Sequence, residues 1–252
     1  VAISLRATEG WTVQADRQSA ALRSRWQLTC KRAIDIIVSL VVLLLALPVL
    51  VIAAIAIKLD DRGPVFFTQT RVGRGGKPIR IHKLRTMVVG AEERLEEVLH
   101  LNERAGPLFK IEADPRLTRV GAILRATSID ELPQLLDVLT GRMSLVGPRP
   151  ALPREVVHFD DDLWARVLVQ PGVTGLWQIE ARDDGSFDAY RRLDLEFVQH
   201  WTLWMDLKIL FKTVPAVLWR SIRSLFTHRP RAPRPYAAAA AEPERVDERA
   251  AL

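Results

Sequence analysis

Hydrophobic and polar positions divide the chain into one long apolar run followed by shorter patterned segments. Residues 36–57 are 22 positions without a charge. As a helix at about 1.5 Å per residue they reach roughly 33 Å, enough for a hydrocarbon core. Leu, Val and Ile occupy every face of that helix, which argues against a buried core helix. The run is also too long, and starts too deep in the chain, for a cleaved signal peptide. Beyond it, residues 65–70 and 79–83 flank a glycine-rich turn, Gly73, Arg74, Gly75, Gly76, and predict a β-hairpin. Residues 91–103 predict an exposed helix dense in Glu and Arg, and 123–139 a helix interrupted at Pro133. Residues 193–226 mix Trp201, Trp204, Phe211 and Trp219 with Lys208, Lys212, Arg220 and Arg223. That mixture suits a helix in a membrane interface or an ordinary amphipathic core helix, broken or kinked at Pro215. The domain plan is therefore a lead-in over 1–30, a membrane helix over 31–58, a folded domain over 59–227 and a disordered tail over 228–252.

The flanks of the apolar run bear on its topology. Upstream lie Arg17, Arg23, Arg25, Lys31 and Arg32; downstream lie Lys58, Arg62, Arg71 and Arg74. Basic flanks prefer the cytoplasm, so a straight span would carry one cluster across, whereas a re-entrant hairpin keeps both inside. Pro48, near the middle, removes one backbone hydrogen bond and gives a bend a cause. Proline-kinked spanning helices also exist, and the residues alone leave both topologies open.

Composition narrows the partners. Lys plus Arg is 36 against 30 Asp plus Glu, a net charge of +6, and only 7 of the 36 are Lys. An arginine-rich excess suits phosphate or an anionic membrane surface. Cys30 stands alone, which excludes a disulfide framework and a cysteine-rich zinc site, and the five histidines form no metal-binding spacing. The basic residues are not interleaved with aromatics on a nucleic-acid module, so no nucleic acid is expected.

The chemistry concentrates around Ser128, Asp130, Glu131, Pro133 and Gln134. Ser128 and Glu131 fit a capping box; alternatively Asp130 caps, which moves Pro133 into the first turn where its missing amide costs nothing. Either register sets two carboxylates at the positive end of a helix, where an ionised carboxylate can attack phosphorus or hold Mg²⁺. Lys83 and Arg85, then Arg116, Arg119 and Arg125, and Arg182 read as solvated charge. Arg149 differs, because Pro148 and Pro150 stiffen its backbone and aim its guanidinium.

Four ordered blocks carry a resemblance: KRAIDIIVSLVVLLLALPVLVIAAIAIKLD, GPVFFTQTRVGRGGKPIRIHKLRTM, DPRLTRVGAILRATSIDELPQLLDVLTGRMSLVGPRP and QPGVTGLWQIEARDDGSFDAYRRLDLEFVQHWTLWMDLKILFKT. Over residues 31–217 the chain resembles the bacterial sugar transferase family, the monotopic polyprenyl-phosphate phosphoglycosyl transferases. The resemblance implies an α-rich α+β membrane-associated domain with one re-entrant membrane helix, interfacial amphipathic helices and a small β-hairpin. It implies transfer of a sugar 1-phosphate from a nucleotide diphosphate sugar, a UDP-sugar first among them, to undecaprenyl phosphate, initiating exopolysaccharide or other glycan assembly. By position Asp130 would be the nucleophile of a covalent phosphosugar intermediate, and Asp130 and Glu131 would bind Mg²⁺. Lys83, Arg85, Arg149 and Arg182 would bind substrate. The expected setting is the cytoplasmic face of the bacterial inner membrane, in contact with its lipid, with a homodimer among the allowed assemblies. The rival reading is a non-catalytic membrane-anchored scaffold of the same fold. Two positions depart from the family: Leu47 precedes Pro48 where Ser is frequent, and Ala181 precedes Arg182 where Gly is common. Larger relatives carry four further transmembrane helices in front, and residues 1–33 are not apolar enough to be one.

Overall fold

A computed structural model describes residues 25–104, 106–111, 113–181 and 186–227, with side chains to residue 223. The lead-in before residue 25 and the tail from residue 228 lie outside the described residues.

Helix α1, Arg25–Asp61, has 37 residues and is unbroken through Pro48. It begins inside the expected lead-in and outlasts the expected end by three residues. Only 11% of its most apolar window is buried, too little for a core helix. One stripe is covered: Asp35, Ser39, Ala53 and Ile57 are buried, with Val38, Val42, Leu43 and Leu50 packed beside them. The spacing of three to four residues is that of one helical face. Both ends are fastened to the same folded domain. At the start Lys31 donates to Val146 O (3.0 Å) and pairs with Asp206 (2.5 Å), and Arg32 donates to Val138 O (2.6 Å) and Leu139 O (2.8 Å). At the finish Asp60 accepts the amide of Val120 (3.0 Å) and Asp61 clasps Arg85. The remaining surface, including Ile37, Leu44, Leu45, Ile52 and Leu59, is exposed hydrocarbon.

The hairpin forms where the alternation places it. Strand β1, Phe66–Val72, pairs antiparallel with β2, Pro78–Leu84, around a turn in which Gly75 (φ 67°) and Gly76 (φ 72°) take the left-handed backbone that glycine adopts without strain. Cross-strand partners share a face, so Phe67, Gln69 and Arg71 stand with Lys83, Ile81 and Ile79 on the inward side. The expected helix over 91–103 shrinks to one turn, α2, Leu95–Val98, followed by a 3-10 turn at Leu99–Leu101.

Helix α3, Arg119–Thr127, is capped by the Thr118 hydroxyl, which accepts the amide of Gly121 (2.9 Å). A 3-10 turn, Ile129–Glu131, leads to α4, Gln134–Leu139. Strands β3, Ser144–Val146, and β4, Gly172–Thr174, form a parallel pair that the sequence pattern does not reveal. Short helices α5, Pro153–Val156, and α6, Leu176–Glu180, lead to α7, Phe187–His200, and α8, Leu203–Thr227. The break expected at Pro215 falls instead at Trp201, and Pro215 lies inside α8. Ile81, Val138, Met143, Val146, Leu163, Tyr190 and Ile209 close the main core. On α8 the side chains of Trp204, Phe211, Val214, Leu218 and Ile222 stay exposed.

Candidate active site

Asp130 and Glu131 sit on the 3-10 turn between α3 and α4, not at a capped helix start. The chain reverses at Ser128, which takes a left-handed conformation (φ 58°) while its amide closes onto Arg125 O and Leu124 O. Ser128 makes no side-chain cap, and Pro133, not Asp130, occupies the cap position of α4, so both expected capping registers are corrected. Pro133 fits because the first amides of a helix have no internal partner. Asp130 is buried; Glu131 is half-buried and pairs with Lys83 Nζ at 2.7 Å. A Cβ on Gly121 would stand 1.9 Å from Thr86 O, so glycine there lets α3 lie directly on the chain leaving β2.

Lys83, expected to bind substrate, is tied to Glu131, and Arg85, expected to do the same, is tied to Asp61. Arg85 is buried, with Nε donating to Pro64 O (2.5 Å), Nη1 to Met87 O (3.1 Å), and Nη1 and Nη2 both to Asp61. The guanidinium is committed to the exit of α1, and its hydrogen bond holds the Asp61 carboxyl below the ordinary range. Arg149 lies at the tip of the Pro148, Arg149, Pro150 turn, half-buried. Its guanidinium forms no hydrogen bond or ion pair among the described residues. Arg182 lies outside the described residues.

Sequence reading missed Arg71. It projects inward from β1 and is buried; Nε and Nη2 bond Gln69 Oε1 (3.0 and 2.6 Å) and Nη1 donates to Pro150 O (3.0 Å). Burial, and next the positive charge of Arg149, lower its pKa to about 10 against the pull of Glu155 and Glu131. Arg71 thus feels the charge of both Arg149 and Glu131. The predicted strand ended at residue 70, one short of Arg71, which read as flanking charge; the observed strand runs to Val72 and puts Arg71 on the face of Gln69. His82 was likewise passed over: buried Asp137 accepts its amide (2.9 Å) and lies 2.8 Å from Nδ1, locking β2 to α4. An open depression of about 400 Å³ lined by Pro78, Ile79, Arg80, His82 and Arg142 has no carboxylate in its lining.

Adjacent acidic residues tied to a lysine, on a domain that also carries an uncommitted arginine, are groups that phosphoryl transfer can use, since positioning and charge neutralisation dominate it. The model for bacterial sugar transferases matches residues 26–220. The chain belongs to the bacterial sugar transferase family. Among its relatives, it is 42% identical over 194 residues to the undecaprenyl-phosphate galactose phosphotransferase of Salmonella typhimurium, covering 75% of this chain and 40% of that protein. It is 41% identical over 191 residues to the exopolysaccharide production protein ExoY of Rhizobium meliloti, covering 74% and 84%. The UDP-glucose:undecaprenyl-phosphate glucose-1-phosphate transferase of Caulobacter vibrioides is 42% identical over 197 residues, covering 75% and 69%. The chain thus spans about two-fifths of the galactose transferase and most of the other two.

Proposed function

We propose that this sugar transferase moves a sugar 1-phosphate from a nucleotide diphosphate sugar, a UDP-sugar first among the candidates, to undecaprenyl phosphate. A carboxylate oxygen of Asp130 attacks the phosphorus that bears the sugar, and the bond to the nucleoside monophosphate breaks with its electron pair. An oxygen of undecaprenyl phosphate then displaces the carboxylate, giving the lipid diphosphate sugar and restoring Asp130. Arg149 neutralises the diphosphate, and Lys83 holds Glu131 beside the nucleophile. Arg85 acts at a distance, by fixing the strand that carries Lys83. Arg182 remains a substrate-binding residue in this reading on the strength of the resemblance alone.

Mg²⁺ belongs to this reading. Among the described residues no three His, Cys, Asp or Glu side chains are grouped so as to hold a metal ion by themselves. Two adjacent carboxylates fit an ion that completes its shell with water and substrate phosphate oxygens. Asp130 and Glu131 would hold it, and it would supply charge neutralisation at the diphosphate.

The setting is the cytoplasmic face of the bacterial inner membrane. A domain that grips both Lys31 and Asp61 of one helix stands on one side of the bilayer, which supports a re-entrant α1 over a straight span. Exposed hydrocarbon on α1 and the stripe on α8 would face lipid. The observation that carries the whole reading is buried Asp130 next to the Lys83–Glu131 pair, because a scaffold has no use for a nucleophile so placed. The test is a panel of nucleotide diphosphate sugars with undecaprenyl phosphate and Mg²⁺, read as nucleoside monophosphate release. Release with one sugar, lost in Asp130→Asn, is expected. Equal release by a folded Asp130→Asn variant refutes the aspartyl step, and none with any sugar favours the scaffold.

A further inference from the structure

Residues 148–151 present four consecutive carbonyl groups, and each is taken by a different donor. Pro148 O accepts the amide of Gly172 (2.9 Å), Arg149 O accepts Arg166 Nη2 (2.6 Å), Pro150 O accepts Arg71 Nη1 (3.0 Å) and Ala151 O accepts the amide of Val72 (2.9 Å). Two of the donors are arginines that are themselves 3% and 5% exposed. Arg166 is held in turn by Asp194 (2.6 Å) and lies against the rings of Tyr190 (4.6 Å) and Phe159 (5.1 Å). Arg71 is held by Gln69.

We infer that Arg71 and Arg166 are positioning residues that clamp the backbone at and just after Arg149, so that its guanidinium is held for the substrate before it arrives. The inference deepens the transferase reading and rests on it for the role of Arg149. Taking two guanidinium groups out of water is costly, and apolar packing would hold a merely structural turn at less cost. Neither arginine is exposed enough to touch a substrate, which leaves the two carbonyls as their point of action. Proline at 148 and 150 restricts φ at those residues but leaves ψ free; the carbonyl bonds fix the peptide planes that ψ would otherwise turn. The gain is catalytic because an arginine must be held within about 0.5 Å and 10–20° to stabilise a transition state. Lysine at 71 keeps the charge yet lacks the planar fork that meets Gln69 and Pro150 O together.

Two measurements test the clamp. In a double-mutant cycle, Arg71→Lys should lower kcat about tenfold with KM within twofold, and the same change in an Arg149→Ala background should lower it less than twofold, because the aimed group is already gone. Gln69→Leu, which loosens Arg71 without burying a new charge, should show the same pattern in weaker form and serves if Arg71→Lys does not fold. Multiplying effects in the Arg149→Ala background, with melting temperature unchanged, would overturn the inference. So would wild-type kcat in Arg149→Ala. The second measurement needs no turnover: backbone hydrogen exchange at residues 147–152 should quicken at least fivefold in Arg71→Lys or Gln69→Leu while exchange at Tyr190 is unchanged. Unaltered exchange overturns the clamp even if the transferase reading holds. Quickened exchange in a protein without transfer keeps the clamp and condemns the transferase reading alone.

Discussion

Asp61→Ala tests whether Arg85 serves the fold. In the wild type the Asp61 carboxylate takes two guanidinium nitrogens of a buried arginine, and the carboxylate itself is 24% exposed. A hydrogen bond to a charged group contributes about 1.5–3 kcal/mol, and breaking a fully buried pair costs about 3–5 kcal/mol. Pro64 O and Met87 O still serve the orphaned guanidinium, and the partial exposure of Asp61 screens the loss. An expected destabilisation of about 2 kcal/mol follows, or roughly 4–8 °C in melting temperature for a domain of this size. The measurement is thermal unfolding in detergent by tryptophan fluorescence, repeated across pH. The folded pKa of Asp61 lies below its ordinary value, 3.8. Its contribution is therefore complete above that value and lost as pH falls through the folded pKa. The gap between wild type and variant should be constant from pH 5 to 7 and close under stronger acid. A gap below 1 °C at pH 7, with kcat reduced, would return Arg85 to the substrate. A gap that persists in acid would remove the ion pair from the account.

Four further outcomes are expected. Arg149→Lys should lower kcat ten- to a hundredfold with KM little changed, about 1.4 to 2.7 kcal/mol, since a point charge cannot form two parallel bonds to one phosphate; wild-type kinetics would make the turn structural. Glu131→Gln should raise the Mg²⁺ needed for half-maximal turnover, and an unchanged titration would leave Glu131 only its tie to Lys83. Cysteines introduced near residues 20 and 65 should both be shielded from an external reagent in intact cells, with Pro48→Leu exposing the first; external labelling of the first in the wild type would make α1 a span. Gly147→Ala should destabilise by about 1–3 kcal/mol in chemical unfolding, because a Cβ there would stand 2.4 Å from Gln170 O; a loss under 0.5 kcal/mol would contradict the contact.

The apolar helix was legible as an uninterrupted uncharged run, and the hairpin as two short strand-like segments with glycine marking the reversal between them. The segment over 91–103 misled because its charges suit a helix, yet only four residues are helical. Its start answers to distant partners: Arg116 donates to Ala91 O (3.0 Å) and Gln69 donates to Glu92 (3.1 Å). The reversal at Ser128 was invisible because a left-handed serine has no strong sequence signal, whereas Pro133 announces a break and then fits the start of α4 without one. Strands of three residues such as β3 and β4 are too short to alternate. Asp130, Glu131 and Arg149 stood out by residue type and spacing, whereas Lys83 read as solvated charge and entered the candidate site only through the resemblance. Arg71, Arg166 and Asp194 did not stand out, because burial and a partner 28 positions away are properties of the fold.

Strand β2 is where membrane attachment and chemistry meet. Side chains alternate across a strand, so Lys83 and Arg85 share one face while His82 takes the other. Lys83 reaches Glu131, Arg85 just past the strand reaches Asp61 at the exit of α1, and His82 reaches Asp137 on α4. Slipping the register by one residue would send Lys83 away from the acidic pair and detach the helix exit in the same movement. The exit of α1 and the turn that carries Asp130 are therefore fixed to one rigid element. In the proposed reaction one substrate would arrive from water and the other from lipid, and a carboxylate fixed to that element would stand at one height relative to both.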